Sequence, residues 1–264
     1  MNANLHDPLD AVWNRLRDEA SALCQSEPVL APLLRSTILD QSSLTDGLAY
    51  LLSERLATPL LPTSALLNLL RAELARPPLP LSVARDLQAI ADRDPASHGL
   101  INPFLNFKGF HALTAYRAAH AFWQGQRRQL ALFLQGRIAA VLAVDVHPAA
   151  RLGSGIFIDH GTGIVIGETA VVGDDVSMLQ NVTLGGTGKE CGDRHPKIGR
   201  GVLIGAGAKV LGNITVGEGA KIGAGSVVLQ HVPPHTTVVG IPARETGHPK
   251  ATEPALSMDQ DFDA

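Results

Sequence analysis

The chain has 264 residues, 45% of them hydrophobic, with 22 lysines and arginines against 25 aspartates and glutamates, for a net charge of −3. That apolar share supports a buried core in one large or two modest domains and excludes a disordered chain, and the near-neutral balance lacks the footprint of a general nucleic-acid binder. The two cysteines, Cys24 and Cys191, stand far apart and outside any C-x-x-C pair, which argues against a disulfide scaffold or a cysteine-ligated zinc site. Met1–Asp10 has no basic start followed by an apolar run, and no apolar stretch is long enough to span a membrane. The expectation is a cytoplasmic protein with neither membrane nor nucleic-acid partners.

The first part of the chain has helical spacing. Leu9, Val12, Trp13, Leu16 and Leu23 recur at three and four residues with charged residues between them, and similar patterns follow over 44–56, 64–74, 83–91, 110–123 and 130–142. Prolines punctuate these segments and end them. Residues 1–143 are expected to form a domain of six to eight short helices.

From Val146 onward the period becomes six. Ile166, Val172, Met178 and Leu184 start successive hexads, and after a break Ile198, Ile204, Val210, Val216, Ile222 and Val228 resume them. Glycine usually takes the second place and a small or β-branched residue the fifth. An earlier set, Val146, Leu152, Ile158 and Ile164, keeps the step but runs two residues out of phase. Ordinary strands alternate with a period of two and have no fixed six-residue glycine. The hexad instead predicts a parallel β-helix over 144–246, three faces to a coil of about 18 residues, with roughly five coils. Its hand cannot be read from the period.

A solenoid accommodates insertions as loops, and loops carry function. One break is the phase slip around Asp159-His160-Gly161-Thr162-Gly163. The other is the inserted loop 185–197, which contains Cys191, Arg194 and His195. An imidazole is suited to accept a proton at neutral pH once a carboxylate orients it. Asp145 lies 15 residues before His160, close to one coil, so stacking is expected to place the two side by side. On spacing alone His160 could equally be a solvated corner residue. Arg194 has the planar fork that suits a carboxylate or phosphate, against the alternative of a charged loop without a ligand. Cys191 has no paired base or second cysteine and reads as a passive side chain. His195, His231 and His235 were weighed as zinc ligands, but the loop spoils their register and Pro233-Pro234 marks an exit turn, so no metal is expected. The glycines match neither a P-loop nor a dinucleotide fingerprint.

Several segments together resemble the serine O-acetyltransferase family of hexapeptide acyltransferases. They are Asp145-Val146-His147-Pro148, Asp159-His160-Gly161-Thr162-Gly163, Leu184-Gly185-Gly186-Thr187-Gly188-Lys189, Gly192-Asp193-Arg194-His195-Pro196-Lys197, Ile204-Gly205-Ala206-Gly207-Ala208 and the upstream Lys108-Gly109-Phe110-His111-Ala112-Leu113. The resemblance implies an α+β protein, helical first and then a left-handed parallel β-helix, that trimerises along its sides and pairs trimers into a hexamer through the helical domains. It implies acetyl transfer from acetyl-CoA, as co-substrate, to the hydroxyl of L-serine, the first step of cysteine synthesis, with inhibition by L-cysteine. By the same resemblance His160 is the general base and Asp145 its partner. Asp94 and Asp159 would meet the serine ammonium, and Arg194 and His195 its carboxylate. Gly186, Ala206 and Ala224 would line the pantetheine arm, with Lys221 and Arg244 near the phosphates.

Residues 247–264 read as a flexible acidic tail. Relatives that dock on O-acetylserine sulfhydrylase end in isoleucine; this tail ends in Ala264, which weighs against that complex and leaves Phe262 as the substitute anchor. A sugar acyltransferase, which needs no carboxylate reader, and a non-catalytic assembly subunit are the competing readings.

Overall fold

A computed structural model describes residues 8–188 and 191–260. The chain divides into two compact units, one ending at Phe107 and the other beginning at Lys108. No helix among the described residues is long and apolar enough to cross a membrane.

The first unit is helical: α1 (Pro8–Ser26), a 3-10 turn (Pro28–Leu30), α2 (Ala31–Leu34), a π turn (Arg35–Leu39), α3 (Leu44–Leu56), α4 (Thr63–Leu74), α5 (Leu79–Arg93) and α6 (Ile101–Asn106). The helical spacing marks α1, α3, α4 and α5; the turns after Pro28 and the short α6 fall below what the pattern resolves. Helix α3 starts where the Ser43 side chain accepts from the Asp46 N–H, and it buries Leu44, Leu48, Leu52 and Leu56 along one stripe. The Glu19 carboxylate on α1 accepts the Leu100 and Ile101 N–H groups at 2.7 and 2.9 Å, so one helix caps the start of another.

The second unit joins α7 (Lys108–Gln124) and α8 (Arg128–Leu142) to the solenoid. Helix gives way to strand at Ala143, where the composition changes, but the packing boundary lies earlier than the expected 143. The reason is that α7 and α8 pack on the coil: Tyr116 Oη donates to the Ala150 carbonyl at 2.5 Å, and Arg117 donates to that of Gly153 at 2.7 Å.

Fourteen short strands build the solenoid, and a fifteenth turns back at its end. The first face carries β1 (Val144–Val146), β4 (Ile164–Ile166), β7 (Thr183–Gly185), β10 (Lys209–Leu211) and β13 (Val227–Val228). The second carries β2 (Arg151–Leu152), β5 (Val171–Val172), β8 (Lys197–Ile198) and β11 (Thr215–Val216). The third carries β3 (Phe157–Ile158), β6 (Ser177–Met178), β9 (Leu203–Ile204), β12 (Lys221–Ile222) and β14 (Thr237–Gly240), with β15 (Ala243–Gly247) antiparallel to β14. All the other pairs are parallel, giving five coils.

The hexad residues Ile166, Val172, Met178, Leu184, Ile204, Val210, Val216 and Ile222 are buried on the axis. The second-place glycines are needed because successive coils touch there. A Cβ on Gly173 would stand 2.8 Å from the Arg200 nitrogen of the next coil, and one on Gly199 would stand 2.7 Å from that of Glu218. Close approach of backbone, more than positive φ, accounts for the repeated glycine.

The expected free tail from 247 is corrected over its described part. After β15 the chain forms α9 (Pro254–Ser257), whose Ala255 is buried with Leu179 and Leu203. Ser177 Oγ donates to the Ala255 carbonyl at 2.8 Å, and Arg200 meets Glu253 at 2.9 Å. Burial of Pro254 and Ala255 holds an otherwise polar segment against the coil. Phe262 and Ala264, and with them the sulfhydrylase-docking expectation, lie outside the described residues.

Candidate active site

The strand register locates both irregularities. Val144 pairs with Ile164 and Phe157 with Ser177, steps of 20 residues, whereas Val165 pairs with Thr183, a step of 18. The two extra residues therefore sit between β3 and β4, at the corner 159–163 that joins the third face to the first. The steps from β5 to β8 and from β6 to β9 are 26 residues, so the eight-residue enlargement sits between β7 and β8, at the corner joining the first face to the second.

At the 159–163 corner the chain turns sharply. His160 has φ +56°, and the Gly161 N–H donates to the Asp159 carbonyl at 2.6 Å. A non-glycine residue in this region is uncommon and is held by its surroundings. Here they are the start of α7 and the end of α8. Lys108 Nζ bonds Thr162 Oγ1, Gly109 lies so close to the Ile158 carbonyl that no Cβ fits, and the Gly163 N–H donates to the Ala143 carbonyl at 2.8 Å. The His160 side chain is 70% exposed, with Asp159 Oδ2 at 3.6 Å from Nε2. The backbone is fixed and the imidazole is presented outward.

The other corner is held by side chains. Arg194 Nη2 donates to Glu168 Oε2 at 2.7 Å and Nη1 to the Gly192 carbonyl at 3.0 Å, so three of its five N–H donors remain for a ligand. That bond holds the Glu168 carboxyl below its usual range. His195 is buried, its ring lying over Gly167 where a Cβ would overlap it. Thr169 Oγ1 accepts the Arg194 and His195 N–H groups at 3.0 and 3.1 Å and sits 2.9 Å from His195 Nδ1. Lys197 Nζ donates to the carbonyls of Thr169 and His195 and to Asp193 Oδ1. Burial first, then the neighbouring Arg194 charge, pushes the His195 imidazole below its usual range.

Asp145 and His160 are not neighbours within one chain, which corrects the expected stacking. The first coil is two residues longer than the regular repeat, so Asp145 pairs with Val165 and its Oδ1 accepts from Gln135 Nε2 at 2.7 Å. Among the described residues Asp145 makes no hydrogen bond or ion pair with His160. Asp145 lies toward the Arg194 corner instead. His147, whose pKa is depressed by burial, is influenced by Asp145, Glu168 and Arg194 together. Gly163 to Gly167 spans four residue steps, about 13 Å at 3.3 Å per residue. One small molecule therefore cannot reach both corners of a single chain.

The remaining expected residues are scattered. Ala206 and Ala224 lie on the same edge of the solenoid as His160, stacked so that a Cβ on Gly205 would be 2.6 Å from the Ala224 nitrogen. Gly186 opens the loop at the other edge. Lys221 on β12 has a side chain only 3% exposed, facing Asp259 at 3.9 Å, so a phosphate there would have to displace the segment after α9. Arg244 is exposed on β15. Asp94 ends α5 in the first unit, its Oδ1 accepting from the Ala96 N–H at 2.8 Å. His231 Nδ1 accepts from the Thr215 N–H at 2.9 Å, and Cys191 is exposed. No cluster of His, Cys, Asp and Glu able to hold a metal occurs among the described residues.

Gln135, His147, Glu168 and Thr169 were not singled out from the sequence. Glu168 and Thr169 were within reach of it. Each lies 26 residues before Arg194 and His195 respectively, one 18-residue coil plus the eight-residue insertion.

Comparison with known proteins follows this layout. A family model described as the N-terminal region of serine acetyltransferase matches residues 12–115, and one described as the bacterial transferase hexapeptide (six repeats) matches 195–230. The serine acetyltransferase of Salmonella typhimurium is 54% identical over 257 residues, covering 97% of this chain and 94% of its own length. A serine acetyltransferase solved in complex with cysteine superposes with a TM-score of 0.94 at 50% identity, covering 97% of this chain and all of its own. That of Brucella abortus with coenzyme A gives 0.91 at 49%, covering 95% and 100%. The soybean enzyme with serine gives 0.89 at 53%, covering 91% and 100%.

Proposed function

Because the chain belongs to the serine acetyltransferase family and is an acyltransferase, we propose that its two irregular corners meet between copies of the chain to bind L-serine and acetylate it from acetyl-CoA. The observation that carries this is the separation of the corners. His160 and Asp159 stand on one edge, Arg194 and His195 on another, too far apart for one serine unless a second copy supplies one of them.

At such a junction the free N–H donors of Arg194 take the serine carboxylate, with His195 beside it. The Asp159 carboxylate meets the ammonium, and Asp94→Asn tests the second carboxylate expected there. His160 takes the hydroxyl proton as serine Oγ attacks the thioester carbonyl; the C–S bond then breaks, and the coenzyme thiolate recovers the proton from the imidazolium. Asp145, which lies toward the Arg194 corner, reaches the His160 of the adjoining copy and stabilises that imidazolium. The small residues Ala206 and Ala224, stacked along the His160 edge, leave room for the pantetheine arm, with Gly186 of the adjoining copy opposite and Arg244 toward the phosphates. Cysteine carries the same carboxylate and ammonium as serine, so it occupies the same place and inhibits. Trimers formed along the sides, paired through the helical units, complete the assembly, as light scattering would read directly.

The test follows free CoA thiol with L-serine against homoserine, threonine and a galactoside, for the wild type and His160→Ala. Serine-dependent release that collapses in the variant is expected; release only with a sugar acceptor would overturn the carboxylate reading, and release with no acceptor would favour an assembly subunit. Co-assembling His160→Ala chains with Arg194→Ala chains is the second arm. Random mixing restores roughly a quarter of the sites if they are shared between copies and none if each chain is self-sufficient.

A further inference from the structure

The part given to His195 rests on the reading above; how that histidine is held does not. We propose that Thr169 is a positioning residue that locks His195 as a neutral imidazole with its proton on Nε2, so that the site offers a fixed N–H donor in place of a titrating histidine.

The argument is one of hydrogen-bond capacity. A hydroxyl accepts twice and donates once. Thr169 Oγ1 accepts the N–H groups of Arg194 at 3.0 Å and His195 at 3.1 Å, which leaves its own hydrogen for His195 Nδ1 at 2.9 Å. The Thr169 backbone N–H also points at Nδ1, from 3.2 Å. Both neighbours of Nδ1 are therefore donors, and all four bonds can form only when Nδ1 carries no proton. Protonating it would set donor against donor in a buried place, which costs the desolvation of both groups. Among the described residues Nε2 makes no hydrogen bond, so its N–H is left for a ligand.

The charged and titratable surroundings act together with this clamp. Arg194 and Lys197 oppose a second positive charge, while Glu168 favours one and His147 adds a little to the opposition. Burial outweighs Glu168, and the imidazole is depressed. Gly167 supplies the floor on which the ring lies, so the ring is fixed in position as well as in protonation.

Thr169→Val keeps the shape and the backbone N–H but removes the hydroxyl, and Thr169→Ser keeps the hydroxyl. With histidine labelled at both ring nitrogens, and His195→Gln used for assignment, wild-type His195 should show the Nε2–H tautomer and stay neutral well below the ordinary imidazole midpoint near 6.5. In Thr169→Val the midpoint should rise and the tautomers mix. KM for serine should increase roughly tenfold with kcat little changed, as for loss of about 1.4 kcal/mol, and the KM profile should gain an acidic limb. Thr169→Ser should restore all three. A wild-type Nδ1–H signal, or valine and serine variants that behave alike, would overturn the proposal. The wild-type spectrum decides even if the valine variant does not fold. An Nε2–H signal in a protein that leaves serine unacetylated would sink the functional reading while upholding the clamp.

Discussion

The two enlarged corners of the solenoid solve different problems by different means. The 159–163 corner grows by two residues and is held almost wholly by backbone: a tight turn at His160, glycines packed on α7, and a main-chain bond to Ala143. Its functional side chain is left exposed. The 185–197 corner grows by eight residues, too many for backbone alone, and is fastened by side chains to the coil before it: Arg194 on Glu168, His195 on Thr169, Lys197 on the Thr169 and His195 carbonyls. A group that must gain and lose a proton suits the first arrangement. A group that must hold a charge in place suits the second, because each bond removes a rotamer before the ligand arrives.

If that contrast is right, damage to the first corner lowers kcat and damage to the second raises KM. The largest effect belongs to His160→Ala, which should cost about 10³ in kcat, as for loss of a general base, with KM for serine nearly unchanged; steady-state thiol release reads both, and a loss under tenfold would refute the base assignment. Next comes Gly167→Ala. Its Cβ would occupy the His195 ring position, so KM for serine should rise more than tenfold while circular dichroism stays that of the wild type. An unchanged KM would mean that His195 does not read the substrate.

Glu168→Gln removes a partly exposed ion pair and should raise KM no more than about fivefold, with the difference shrinking in high salt. The smallest effect is on stability. His147 and His195 both have folded pKa values below their unfolded ones, so the unfolded chain binds protons first. Their contribution is complete above about pH 6.5 and is lost as pH falls toward the depressed values. Urea titrations at pH 7.5 and 5.5 should show this loss, and His195→Gln should reduce it; an equal loss in the variant would remove His195 from the account.

Much of this was open to reading in the linear chain. The hexads marked the faces and the buried positions, and their interruptions pointed to the corners that hold His160 and Arg194. Helices α1, α3, α4, α5, α7 and α8 announced themselves by apolar spacing. What misled was the assumption of a uniform coil: a two-residue slip was enough to carry Asp145 away from His160. The boundary at 143 followed the change in local pattern, while α7 and α8 answer to the surface they bury. The tail looked free because its composition is polar, and two small buried residues, Pro254 and Ala255, were enough to seat it.

The sequence by itself determined the solenoid, because the direction of a side chain in a short strand is a local property, and six-residue units repeat it whatever lies elsewhere. Only the tertiary structure decided that the two active corners occupy different edges, that Glu168 receives Arg194 and that Thr169 receives His195. Those choices belong to residues a full coil apart, in loops with no period, where the partner is set by which buried donors and acceptors remain to be satisfied.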